Sequence, residues 1–309
     1  MRVIFFGSPE FAVPTLRAVA AAHDVRLVVS QPDRPAGRGR ALNPPAVKQV
    51  AQELGLPTLQ PTKLRDPELA TQLGALDPEV FVVVAYGRIL PPALLALPAL
   101  GPYNVHGSLL PKYRGAAPIQ WAVINGETET GICIMRMEEG LDTGPVLVRQ
   151  SVAIAEEDTA GTLAVRLAAL GAELMVAALP RIAAGTLTPE PQDHQRATLA
   201  PMLDKEHGLL DFRLPARLVS AQARGVDPWP GATASLEGEV LKLYRPRLVA
   251  GAGPPGQVLG ASAQGLEVAC GQGAVAFAEL QFPGRKRLAA AAVLAGRPIP
   301  IGSTLVGKV

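Results

Sequence analysis

Val80-Phe81-Val82-Val83-Val84-Ala85 is a run of six apolar residues, four of them valine. A half-buried strand alternates apolar with polar positions, so a run apolar on both faces belongs to a strand covered on both sides. Residues 2–6 and 25–29 repeat the pattern, and 101–106 supply another strand edge. Between them, Ser8-Pro9-Glu10 offers an N-cap followed by proline at the first helical position, with Leu16 and Val19 at helical spacing. Residues 48–54 read as a second helix. Strands alternating with helices predict an α/β fold, a Rossmann-like parallel sheet with helices on its faces. A long helix over 162–184, with Leu163, Leu167, Leu170 and Leu174 on one stripe, closes that domain.

Downstream the pattern changes. Residues 186–204, rich in Pro, Thr, Gln and Asp, read as a linker between a domain over 1–185 and one over 205–309. In the latter, segments 232–236, 240–244, 256–259, 266–269 and 274–281 are short, apolar and separated by Pro and Gly, which predicts a small β-barrel or sandwich.

Length and composition agree with two globular domains: 309 residues, 48% hydrophobic, 18% charged, with only 4% aromatic, so aliphatic side chains fill the cores. The two cysteines, Cys133 and Cys270, are too few and too far apart for a disulfide framework or thiolate metal site, and read as buried thiols in a reducing cytosol. The first apolar run is too short for a signal peptide, and no uninterrupted apolar stretch approaches the ~18 residues of a membrane span. The expectation is a soluble, cytoplasmic protein. Its net charge of +2 divides unevenly, with 17 basic against 20 acidic residues over 1–204 and 12 against 7 over 205–309. A basic C-terminal region fits a polyanionic partner, although charge alone favours an ordinary solvated face.

The first strand-to-helix turn, Gly7-Ser8-Pro9-Glu10-Phe11, lacks the glycine spacing of a dinucleotide fingerprint and sets proline and glutamate where a pyrophosphate would approach, which disfavours NAD. Zinc-helix, paired-cysteine, nucleophile-elbow and Walker patterns are missing from the sequence, so no metal is expected. The informative stretch is Tyr103-Asn104-Val105-His106-Gly107-Ser108-Leu109-Leu110-Pro111. At the end of a parallel strand, Asn104 and His106 share one face and open into the crevice where α/β sheets bind ligands. Histidine moves protons near neutral pH, and an asparagine amide is a neutral donor for a developing oxyanion. A hydrogen-bonded structural histidine explains the pair as well. Asp142, between Gly140 and Gly144, sits where a carboxylate can orient an imidazole, or form an Asx-turn. This points to a metal-free transfer of a small acyl group.

The stretch 104–120, Asn-Val-His-Gly-Ser-Leu-Leu-Pro-Lys-Tyr-Arg-Gly-Ala-Ala-Pro-Ile-Gln, closely resembles the core motif of the folate-dependent formyltransferases. The 140–144 loop looks like their aspartate loop, and Val83–Pro91 resembles their folate-cradling strand and turn. Residues 31–40, Gln-Pro-Asp-Arg-Pro-Ala-Gly-Arg-Gly-Arg, are similar to the loop that enters the acceptor stem in members acting on charged initiator tRNA, although Arg40-Ala41 stands where relatives often carry two basic residues. The resemblance implies 10-formyltetrahydrofolate as donor and the α-amino group of methionine on initiator tRNA as acceptor, with an OB-like C-terminal barrel. It implies Asn104, His106 and Asp142 as catalytic, and Tyr86, Gly87, Arg88, Ile89, Leu90, Ser108, Leu109, Leu110, Pro111 and Gly140 around the folate. Arg34, Arg38, Arg40 and Lys205 would contact tRNA, the enzyme working as a monomer without membrane or metal. The scarcity of aromatics suits a grip on the tRNA backbone more than base stacking. A small-amine acceptor and a non-catalytic tRNA-binding protein are the alternatives.

Overall fold

A computed structural model describes residues 1–36 and 41–308 of the chain. It groups them into two compact units: Met1–Pro118, Thr130–Val152 and Ala164–Pro201 form the first, and Ile119–Glu129, Ala153–Leu163 and Met202–Val309 the second.

The strands of the first unit, in chain order, are β1 (Arg2–Gly7), β2 (Asp24–Val29), β3 (Arg34–Ala36), β4 (Ala41–Asn43), β5 (Thr58–Leu59), β6 (Val80–Val84), β7 (Gly101–His106), β8 (Arg114–Gly115), β9 (Glu129–Arg136), β10 (Val146–Ala153) and β11 (Leu199–Ala200). Its main sheet has the order β10-β9-β7-β6-β1-β2-β5. The β1–β2, β1–β6, β2–β5 and β6–β7 pairs are parallel, as the all-apolar runs required. β9 runs antiparallel to β7, so the sheet is mixed rather than purely parallel. Its helices are α1 (Val13–Ala22), α2 (Ala46–Glu53), α3 (Pro67–Gly74) and α4 (Pro92–Leu95); α5 (Pro118–Ile124) belongs almost wholly to the second unit, and α6 (Ala160–Ala183) lies in the first from Ala164 on.

Period two assigns Ile4, Phe6, Phe81 and Val83 to one face, where they meet Leu69, Leu73 and Leu94 of α3 and α4 in one apolar cluster. Phe6 packs on Phe81 at 5.0 Å and edge-on to Tyr86 at 5.5 Å, contacts worth about 0.5–1.5 kcal/mol each beyond area burial. On α6 the predicted Leu163 and Leu167 are buried but Leu170 and Leu174 only half-buried, because the buried face runs on through Gly171, Met175, Leu179 and Ile182, and Gly171 lets the helix approach Val105 and Ile132 closely. Among the described residues α6 is also the one helix long and apolar enough to cross a membrane, although Arg166, Glu173 and Arg181 interrupt its apolar run.

The predicted N-cap at Ser8 does not form. A 3-10 turn over Glu10–Ala12 intervenes, α1 starts at Val13, and no side chain caps either element. The Ser8 hydroxyl instead accepts the Gln31 amide at 3.1 Å, joining the ends of β1 and β2.

In the second unit α7 (Ala216–Gly225) and α8 (Ala290–Gly296) accompany β12 (Ala232–Leu236), β13 (Glu239–Val249), β14 (Val258–Ser262), β15 (Gly265–Ala269), β16 (Ala274–Gln281), β17 (Leu288–Ala289) and β18 (Leu305–Val306). The sheet order is β14-β15-β16-β13-β12-β18, with β17 beside β16. An antiparallel bridge between Gln257 and Thr304 joins the two ends, curling the sheet into an OB-like barrel. Among the described residues, four of its twelve basic side chains form ion pairs: Arg213 with Asp211, Arg245 with Glu279, Arg287 with Asp227 and Glu279, Arg297 with Glu239. Cys133 and Cys270 are both buried and free.

Candidate active site

β7 carries the first two candidates. It lies between β6 and β9, with Asn104 beside Val83 and opposite Met135, and His106 opposite Cys133. Two residues apart on one strand, both side chains leave the same face. Asn104 is half-buried, and its side-chain amide has no hydrogen-bond partner among the described residues. His106 is only 4% exposed, with Nε2 3.0 Å from the Tyr113 carbonyl oxygen. A carbonyl can only accept, so Nε2 carries the proton and Nδ1 is left to act. Nδ1 stands 3.6 Å from Asp142 Oδ2, an ion-pair distance slightly too long for a hydrogen bond. Such contacts commonly tighten when substrate binds.

Asp142 arrives on a tightly turned loop. Its own φ is 52° and that of Gly140 is 145°. Gly144 packs so closely that a Cβ would collide with the Arg136 carbonyl, so glycine is required there. The carboxylate is fixed from outside the loop: the Gly115 amide donates to Oδ2 at 2.8 Å. Gly115 is itself constrained, with φ 126° and room for a Cβ removed by the Ala200 carbonyl 2.7 Å away. The spacing of the motifs did not show that His106 and Asp142 meet; the structure brings them together.

Several functional neighbours escaped the sequence reading. Arg114 (6% exposed) donates from Nε and Nη2 to Gln192 Oε1 at 3.1 and 2.7 Å, and Nη2 lies 3.1 Å from His194 Nδ1. Gln192 Nε2 donates to the carbonyls of Asp142 (2.8 Å) and Gly144 (2.6 Å). Residues 186–204, read as a linker, thus carry a side chain into the aspartate loop, and β11 pairs parallel with β8. The only available signal was a glutamine in an otherwise solvated segment, which is too weak to act on.

The candidate folate residues divide. Tyr86 turns its ring into the core, and burial pushes its phenol above the usual value against the pull of Arg88. Its carbonyl accepts from Gln31 Nε2 at 3.0 Å. Ala85 (φ 45°) and Gly87 (φ 79°) turn the chain out of β6. Gly87 and Ile89 are exposed, Leu90 is buried, and Arg88 holds the carbonyls of Pro61 and Thr62 at 3.0 and 2.9 Å. Ser108 is fully buried and closes the next turn on the Lys112 carbonyl at 2.6 Å. Leu110 packs with Cys133, Met135 and Val146 instead of lining open space, Leu109 lies against Gly131, and the Leu110–Pro111 peptide is cis. A cleft of about 770 Å³ lies alongside, bordered by Lys63, Arg65, Arg88 and Ile89; neither Asn104, His106 nor Asp142 lines it.

Of the candidate tRNA residues, Arg34 is exposed on the β3–β4 hairpin, where it pairs with Asn43. The hairpin is rooted by Lys48 Nζ, 2.8–2.9 Å from both Asp33 oxygens and 2.8 Å from Gln60 Oε1. Those hydrogen bonds, Lys48 first and Gln60 second, hold the Asp33 carboxyl below the usual carboxylate range. Arg38 and Arg40 lie outside the described residues. Lys205, in the second unit, is exposed and precedes a 3-10 turn in which His207 bonds Asp204 and meets Trp121 edge-on at 5.3 Å.

Among the described residues no group of three or more His, Cys, Asp or Glu side chains is placed to hold a metal ion. Residues 1–179 match the formyl transferase family model, and residues 202–298 match the formyl transferase C-terminal domain. The methionyl-tRNA formyltransferase of Trichlorobacter lovleyi is 48% identical over 99% of this chain and 97% of its own. Among solved structures, an N-formyltransferase from Helicobacter canadensis in complex with folinic acid and dTDP-3-aminofucose has a TM-score of 0.68 at 17% identity, over 89% of this chain and 98% of that one. HypX from Aquifex aeolicus in complex with tetrahydrofolic acid gives 0.63 at 16% identity; this chain is covered fully but spans about half of that protein, 51%. These two likenesses establish a shared fold. The chain belongs to the formyl transferase family, among its methionyl-tRNA formyltransferases.

Proposed function

We propose that this enzyme transfers the formyl group of 10-formyltetrahydrofolate to the free α-amino group of methionine on initiator tRNA, with Asn104, His106 and Asp142 as its catalytic residues. The observation that carries the site assignment is the His106 Nδ1 to Asp142 Oδ2 approach at 3.6 Å, at the end of the strand that also presents the unpartnered Asn104 amide. Relatives of high identity and full coverage support the tRNA acceptor, and the folate ligands of the two fold-mates support the donor class.

The neutral amine attacks the formyl carbon, forming the new C–N bond while the carbonyl π pair moves onto oxygen. Asn104 donates a hydrogen bond to that oxyanion, and His106 Nδ1 does so once it carries the proton lost by the attacking nitrogen; such donors act most strongly there because charge appears only at this stage. Nε2 stays on the Tyr113 carbonyl, which keeps the ring in one orientation. The Asp142 carboxylate takes the proton that the attacking nitrogen must lose, hands it to His106 Nδ1 and balances the imidazolium so formed. Collapse of the oxyanion breaks the bond to folate N10, which leaves with the same proton, returned from His106 Nδ1. No covalent enzyme intermediate is needed, since the amine is itself a competent nucleophile and the enzyme contributes orientation and charge stabilisation.

The folate is assigned to the turn over Tyr86–Leu90, with Ser108–Pro111 and Gly140 beside it. Arg34, Arg38, Arg40 and Lys205 are assigned to the phosphate backbone of the tRNA, which arginine and lysine side chains neutralise. The enzyme is proposed to act in the cytoplasm as a monomer. The test is formylation with 10-formyltetrahydrofolate of initiator Met-tRNA, elongator Met-tRNA and a nucleotide-linked amino sugar. Preference for initiator Met-tRNA is expected; equal use of the amino sugar would contradict the acceptor assignment.

A further inference from the structure

Three consecutive residues hold the catalytic pair from outside its own strand and loop. The Tyr113 carbonyl takes His106 Nε2, the Arg114 guanidinium takes Gln192, and the Gly115 amide takes Asp142 Oδ2. Gln192 closes the circuit by donating to Asp142 and Gly144, the two carbonyls that flank the turn. We infer that Gln192, oriented by Arg114, is a positioning residue for Asp142: it clamps the aspartate loop in the conformation that turns the carboxylate toward His106. The inference rests on the catalytic reading of Asp142 and His106 given above.

The identity of the side chain supports this. Beside a buried arginine fork, glutamate would satisfy the charge better than glutamine. Glutamate, however, has no hydrogen to give, and two carbonyl oxygens stand 2.8 and 2.6 Å from the glutamine nitrogen. Arg114, which has only donors, fixes the amide so that oxygen faces the guanidinium and nitrogen faces the loop. Gln192 is 8% exposed, so the hydrogen bonds are made without competition from water. Asp142 adopts φ 52°, a left-handed conformation that a non-glycine residue keeps only when its surroundings enforce it. Gln192 binds the carbonyl of that residue itself.

A tie that only fastened the 186–201 segment to the rest of the first unit would have no special relation to Asp142. The experiment is a double-mutant cycle in the full-length enzyme, read as kcat and as KM for both substrates. Gln192→Glu keeps the pairing with Arg114 but removes both donors; it is expected to lower kcat by about 10–100-fold, the scale of a slightly misplaced catalytic group, with both KM values within about two-fold. In an Asp142→Asn background the same change is expected to cost nothing further. Independent, multiplicative losses in the cycle, or full activity in Gln192→Glu alone, would overturn the inference while leaving the role of Asp142 intact. Wild-type turnover in Asp142→Asn would overturn the reading of Asp142 and the inference with it. Where Gln192→Glu fails to fold, Gln192→Met, neutral and of similar length, enters the same cycle with the same expectations.

Discussion

Asn104 offers the simplest test of oxyanion stabilisation at the level of a single residue. Its amide has no partner among the described residues, so truncation leaves no buried group unpaired. Asn104→Ala is expected to lower kcat by about 10²–10³-fold with KM for the folate little changed, measured in steady-state formylation. A change confined to KM would mean that the side chain binds ground states instead. The neighbouring histidine works differently, because its Nε2 is committed to Tyr113 and its reactive face is set by one backbone carbonyl. Asn104 and His106 could be named from their spacing on a strand, and Asp142 from its glycines. Their meeting could not, since it depends on the Gly115 amide and on a glutamine 50 residues beyond the aspartate.

At the scale of elements, the β3–β4 hairpin depends on the Asp33–Lys48–Gln60 knot at its root. The Asp33 pKa is depressed in the folded protein, so the knot contributes fully above the unfolded carboxylate value of ~3.9 and is lost as pH falls through the lower folded value. Lys48→Met should raise the Asp33 titration toward that unfolded value, as read by NMR of the carboxyl; an unmoved titration would contradict the pairing. Elements were legible wherever one physical signal dominated. β6, apolar on both faces, and the existence of α6, though only Leu163 and Leu167 of its predicted stripe are buried, are such cases. β9, Glu-Thr-Gly-Ile-Cys-Ile-Met-Arg, looks like any buried run, and nothing local reveals that it lies antiparallel beside β7. The Ser8 cap failed because the nearby Gln31 amide competes for the hydroxyl, a partner 23 residues away.

For the whole molecule, the two compact units are interleaved along the sequence, with 119–129 and 153–163 grouping with the C-terminal unit. Composition shifts locate the beginning of the barrel but not these two excursions, which no change in residue type announces. The basic excess of the C-terminal region survives its internal ion pairs, since Arg213, Arg245, Arg287 and Arg297 are matched by Asp211, Glu279, Asp227 and Glu239 and eight basic residues remain against three acidic ones. Both this surplus and the arginine loop are therefore expected to contribute to the electrostatic grip on tRNA. Arg38→Ala is expected to raise KM for tRNA and reduce its salt dependence by about one phosphate contact, with folate KM unchanged. A matching loss of folate affinity would contradict the division of labour between loop and turn. The most direct test of the account is the single-turnover rate of formyl transfer from 10-formyltetrahydrofolate to initiator Met-tRNA by His106→Ala. A fall of about 10²–10⁴-fold with both substrates still bound is predicted; a rate equal to that of the parent enzyme would contradict it.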